Sequence, residues 1–328
     1  MTRLLYKLSR RGALLAASVL LLAPIMEAQA KWPERVIKII IPFGAGGVGD
    51  VTSRIMADKL SEKLGKQVVI ENMPGPGGIN AARAVTTSNP DGYTMGLVAN
   101  GTAISVGAFK SLPFDAVKDF EMISMVSQFD LMFVVSAKSE YKTLGDFNTA
   151  AKEAPGKLNI GTIAVGGSQN LAAELLKSEA GINAQIVPYK RSPDTVVALL
   201  RNEVQMVIDF LPAVQGQVTS GDLKILASSS FKRSAMLPNI PTAQEAGIKD
   251  FAVTGWNGIF VPKGTPKEVI DTMSEAIHEV LAMDDVKEKF SKAGVEAHAS
   301  SAAELETRLA DDIKKWTAVI EKAGIPKK

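Results

Sequence analysis

The sequence predicts an α/β protein of two lobes, each a mostly parallel sheet flanked by helices, with a ligand cleft between them. Short β-branched runs alternate with helical periodicity along the chain, and the connections are short, as in repeated βα units. One arrangement of strand, glycine turn and helix occurs twice, near residues 36–65 and again near 158–181. The chain has 328 residues with no low-complexity stretch or long linker, ample for two lobes with separate cores.

In the first unit, residues 36–41 form an apolar β-branched run that reads as a buried strand. Val51, Ile55, Leu60 and Leu64 then trace one face of a helix that stops at Gly65. A turn between such elements aims backbone N–H groups and the positive end of a helix dipole at an anion, which makes Phe43, Gly44, Ala45, Gly46 and Gly47 candidate binding residues. Gly44, Gly46 and Gly49 also satisfy G-x-G-x-x-G, with Glu71 at roughly the spacing of a dinucleotide fold. An NAD(P)-dependent oxidoreductase is therefore an alternative. Pro42, which fixes the backbone entering the turn, and Asp50, a carboxylate where a pyrophosphate would lie, argue against it, and Asp50 is expected to act mainly as a cap of the helix N-terminus. A tight turn holding no ligand is the third possibility.

A strand over 68–70 follows, then the loop MPGPGG at 73–78 and a short helix from about 79 to 87. Asn89-Pro90-Asp91-Gly92 marks a turn before a strand over 94–99 that ends at Asn100-Gly101-Thr102. Ligands of open α/β sheets sit beyond the carboxyl ends of the strands, so Phe43, Asn100 and Thr102 are expected on one rim. The apolar run 129–136 opens a second sheet, followed by a helix over 144–154 and a strand over 158–161. Thr162, Gly166, Gly167 and Ser168 then form the second anion-seeking turn, ahead of a helix over 169–180 stopped by Gly181.

Strands over 184–189 and 204–209 flank a helix over 194–201. Asp209, at a strand's carboxyl end, either receives a ligand's ammonium or hydroxyl group or caps the next helix. After a strand over 224–227, the run 251–261 returns the chain to the first lobe; its Trp256 is either a core aromatic or a wall of the cleft. Thr242 with Glu245, Thr265 with Glu268, and Ser301 with Glu304 show capping-box spacing, the last two opening helices to about 283 and about 323.

Arg3, Lys7, Arg10 and Arg11, an apolar stretch and Ala28-Gln29-Ala30 read as an export signal over residues 1–30, cleaved near Ala30. Without it the chain carries 33 basic and 34 acidic residues, a net charge of −1 that gives no argument for nucleic acid as a partner. There is no cysteine, hence no disulfide or thiolate metal site, and His278 and His298 leave little for imidazole chemistry. Neither a metal nor a cofactor is expected.

The stretches 41–54, 68–78, 89–94, 167–175, 187–190, 237–247 and 255–266, taken in order and spacing, resemble the tripartite tricarboxylate transporter substrate-binding proteins, the Bug family of periplasmic receptors. The resemblance covers essentially the whole chain after the signal. It implies a type II periplasmic-binding-protein fold, non-enzymatic, with residues 31–130 plus 254–328 as one lobe and 131–253 as the other. It further implies a monomer that closes over a small organic carboxylate (a di- or tricarboxylate, an amino acid or an aromatic acid) and presents it to membrane transporter subunits. A sensor delivering its ligand to a membrane kinase would look the same. In this family the carboxylate is gripped by the first strand–helix loop and its counterpart, matching Phe43 to Gly47 and Thr162 to Ser168 here. The chain departs from the family pattern at Ala164, Gly167, Asn170, Arg191 and Phe210.

Overall fold

The computed structural model describes residues 32–234 and 236–328; the expected export signal lies outside them. From Arg35 onward the chain forms one compact unit. Strand β1 (Ile37–Ile41) is followed by helix α1 (Val48–Leu64), β2 (Val68–Asn72), α2 (Ile79–Thr86), β3 (Thr94–Ala99) and α3 (Asn100–Ala108). β1 pairs in parallel with β2 on one side and β3 on the other. Its run of isoleucines has four of five residues buried, as expected of a central parallel strand covered on both faces.

Helix α1 ends as predicted, at Gly65 in a left-handed C-cap. Its buried face is rotated from the one predicted. Thr52, Ser53, Met56, Ala57 and Leu60 face inward, whereas Val51 is exposed. The small residues let the helix lie close, and the hydroxyls of Thr52 and Ser53 donate to the carbonyls of Val48 and Gly49, so they enter the core without an orphaned donor.

Strand β4 (Phe120–Ser136) runs for 17 residues, well upstream of the predicted start at 129. After it come α4 (Leu144–Glu153), β5 (Asn159–Ile163), α5 (Ser168–Ala180), β6 (Gln185–Tyr189), α6 (Ser192–Leu200), β7 (Met206–Phe210), α7 (Leu211–Thr219) and β8 (Leu223–Ser228). β5 pairs in parallel with β6 and β7, so this half repeats the parallel trio of the first. The chain then returns through β9 (Thr254–Pro262), α8 (Lys267–Ala282), α9 (Asp284–Lys292), the two-residue β10 (Glu296–Ala297) and α10 (Ala302–Lys322).

The two halves are joined on β4. As far as Asp130, opposite Thr254, β4 pairs antiparallel with β9; from Leu131, opposite Phe210, its partners are β7 and β8. β9 is buried throughout and bridges β3 and β4. Ser301 and Glu304 form the predicted capping box at the start of α10. Thr242 and Glu245 bond reciprocally but hold a turn, not a helix. Thr265 is not the cap of α8: its hydroxyl donates to the carbonyl of Pro262 instead.

Candidate functional site

The two glycine turns are close structural copies. In the first, Gly46 (φ +81°) leads into Gly47 as N-cap of α1, and the Gly46 N–H donates to Asp50 Oδ2 at 2.9 Å. In the second, Gly166 (φ +77°) leads into Gly167 as N-cap of α5, and the Gly166 N–H donates to Asn170 Oδ1 at 2.9 Å. Only glycine takes these left-handed conformations without strain. Neither N-cap offers a side-chain acceptor, so the first N–H groups of both helices face outward without an intrahelical partner.

A brace holds the first turn. Asp50 Oδ1 accepts from Arg54 Nε and Asn72 Nδ2, and Asn72 Nδ2 also donates to the carbonyl of Phe43. The Arg54 guanidinium, with the Gly46 amide and Asn72, brings the Asp50 carboxyl down to about 2 despite its burial. Asp50 is therefore not an N-cap. It lies in the first turn of α1 and occupies a turn amide, which leaves an acid where a pyrophosphate would bind. The third glycine of the fingerprint has a packing role: a Cβ on Gly49 would lie 2.4 Å from the ring of Phe43.

Between the halves is a cavity of about 440 Å³. Phe43, Val48, Gly49, Asn100, Phe129 and Trp256 line it from one half, and Ser168, Gln169, Ser192, Asp209 and Phe210 from the other. The amino ends of five helices meet there: Val48 and Gly49 of α1, Asn100 and Gly101 of α3, Ser168 and Gln169 of α5, Ser192 of α6, Pro212 and Ala213 of α7. None of the five N-cap residues accepts a side-chain capping bond from its helix. None of the described lining residues is Lys, Arg or His. Positive potential at this cavity comes from helix termini and not from side-chain cations.

A hydrogen bond crosses the cavity. Asn100 Nδ2 donates to Ser168 Oγ at 3.0 Å, and Trp316 Nε1 of α10 donates to Asn100 Oδ1 at 3.0 Å. The indole is a donor only, so it fixes which end of the Asn100 amide faces Ser168 and leaves the Ser168 hydroxyl free to donate onward. Trp256 is fully buried, with its indole N–H donating to Asp312 Oδ2 at 2.7 Å; Arg308 and Lys315 pair with the same carboxylate.

Asp209 is 1% exposed. Its Oδ1 accepts from Gln169 Nε2 at 3.0 Å and from the Phe210 N–H at 2.8 Å, while Oδ2 has no partner among the described residues. Burial pushes its carboxyl above the ordinary range, partly offset by Gln169 and by the nearby Ser192 hydroxyl.

Of the residues singled out from sequence, Phe43, Asn100, Ser168, Asp209 and Trp256 line this cavity. Gly44, Ala45, Gly46 and Gly47 form the exposed outer side of the first turn and are not in its lining. Gly166 and Gly167 line a neighbouring cavity of about 460 Å³, which shares Gly101 and Ser168 with the first. Thr102 and Thr162 are buried outside the lining: the Thr102 hydroxyl accepts from the Ala99 N–H, and that of Thr162 from Asn170 Nδ2. Sequence reasoning noted Phe210 only as a departure from the family pattern and did not pick out Phe129, Gln169, Ser192 or Asn257. Gln169 and Ser192 sit at helix starts and Phe210 at a strand end, whereas Phe129 and Asn257 lie within β4 and β9; none is informative until the strands are ordered.

Two halves on one shared strand, with helix amino ends gathered on the cavity between them, define a solute-binding protein of the type II periplasmic-binding-protein fold. A family model described as the tripartite tricarboxylate transporter family receptor matches residues 52–325, and the chain belongs to that family, whose members are periplasmic receptors. It is 32% identical to BugT of Bordetella pertussis over 295 residues, 89% of this chain and 90% of that protein. Among solved structures it is similar to an R. palustris protein with adipate (28% identity, TM-score 0.76, 90% of this chain and 100% of that one). It is also similar to MatC from Rhodopseudomonas palustris with bound malate (25% identity, TM-score 0.72, 88% and 100%).

Proposed function

We propose that this chain is an exported receptor that captures a small organic carboxylate in the 440 Å³ cavity and delivers it to a tripartite tricarboxylate-type transporter in the inner membrane. The observation that carries this is the convergence of five helix amino ends on a cavity with no cationic side chain in its described lining. Such a site favours an anion of modest charge. The adipate and malate held by similar structures agree with it.

On this reading the molecule acts by binding alone, as a monomer, after cleavage near Ala30. Residues 31–130 with 254–328 form one lobe and 131–253 the other. The change of β4 partners between Asp130 and Leu131 supports a hinge there, and the Asn100–Ser168 bond supports a closed form. The purified protein should be thermally stabilised by at least one member of a panel of small carboxylates and not by NAD(P). Stabilisation by NAD(P) with no response to any carboxylate would sink the proposal.

A further inference from the structure

The lining of the cavity shows an imbalance that a carboxylate alone does not resolve. Helix amino ends supply donors for an anion, yet two buried acceptors in the same lining have no partner among the described residues: Asp209 Oδ2 and Asn257 Oδ1. Asp209 is 1% and Asn257 3% exposed. Both side chains are held through their other polar atom. Gln169 Nε2 and the Phe210 N–H fix Asp209 through Oδ1, and Asn257 Nδ2 donates to Ser127 Oγ at 3.1 Å. Buried polar atoms are nearly always hydrogen-bonded, and an unpaired carboxylate oxygen is among the costliest to leave so. With no Lys, Arg or His in it, the described lining supplies no countercharge for Asp209. A second ligand carboxylate here would add like charge beside an uncompensated acid.

The remaining lining is aromatic. Phe43, Phe129 and Phe210 bring three rings to the cavity over the fully buried Trp256, with the rings of Phe129 and Phe210 packed edge to face at 4.9 Å. Such walls favour an apolar, ring-sized body over a hydrated chain.

We infer that the ligand is a zwitterion, an amino acid with an apolar and preferably aromatic side chain, whose ammonium group meets Asp209 and Asn257 while its carboxylate meets the helix amino ends. This rests on the carboxylate reading above and narrows it. An ammonium group has three donors and no acceptor, which matches two waiting acceptors and restores the charge balance of Asp209. The upward displacement of the Asp209 carboxyl by burial agrees with a group whose counterion arrives with the ligand.

Calorimetric titration of the purified protein tests this with matched probes: phenylalanine, tryptophan and leucine, the deaminated acid of each, phenethylamine, and adipate. At least one amino acid should bind about tenfold or more tightly than its deaminated acid, the loss of a charge-assisted hydrogen bond. The near-isosteric Asp209→Asn should erase that preference, so that the amino acid binds no more tightly than its deaminated acid. If adipate or a deaminated acid binds more tightly than every amino acid, the inference is overturned and the carboxylate reading stands. If phenethylamine binds and no carboxylate of either kind does, the carboxylate reading falls with it. The ligand pairs decide the question in the wild-type protein, so the test survives a variant that fails to fold.

Discussion

Asp50 shows how one side chain sets a loop from behind. It accepts from the Gly46 amide, Arg54 and Asn72, and so fixes the turn whose flanking residues Phe43 and Val48 line the cavity. Its carboxyl is depressed from 3.8 to about 2. A depressed carboxyl contributes stability above its unfolded value, so the contribution is intact above about pH 4 and is lost as the pH falls toward 2. A displacement of this size corresponds to roughly 2 kcal/mol. Asp50→Ala should therefore lower unfolding stability by about 2–3 kcal/mol at neutral pH, with the deficit shrinking in acid. Urea denaturation of both proteins from pH 7 to pH 2 reads this directly. A deficit independent of pH would remove the charge argument.

At the scale of elements, α10 reaches the site without contributing a lining residue. Trp316 orients Asn100, and Asp312 accepts from the indole of Trp256. Trp316→Phe removes the donor from a buried amide oxygen and should cost about 1–3 kcal/mol in chemical denaturation, besides any packing loss. Ligand affinity should fall as well, because Asn100 is then free to turn away from Ser168. Unchanged stability and affinity would mean that α10 only packs.

The elements also show what the sequence could and could not tell. The glycine turns were legible because left-handed backbone leaves a glycine mark at Gly46 and Gly166. Helix α3 was not: the sequence shows only a strand ending at Asn100-Gly101-Thr102, whereas the structure has a helix there, packed against α10. Residues 120–128 of β4 were missed because Glu121, Ser124, Ser127 and Gln128 interrupt the apolar pattern. Ser124 and Ser127 are nevertheless buried, bonded to Met125, Ser300 and Asn257. Asp209 was visible as an acid at a strand end, but its unpartnered oxygen exists only in the assembled cavity.

For the molecule as a whole, the architecture explains how a chain with no cationic side chain in the described lining of its cavity can serve as an anion receptor. Five helices begin where two parallel trios end, so their dipoles add at one place without the desolvation cost of burying Lys or Arg. The same design limits the charge that can be accepted and leaves Asp209 to select among carboxylates. Mass spectrometry of the small molecule released from protein recovered from its native cells is the most direct test. The released compound should bear a carboxylate, with an ammonium group and an apolar body. A released ligand with no carboxylate would contradict the anion-receptor reading.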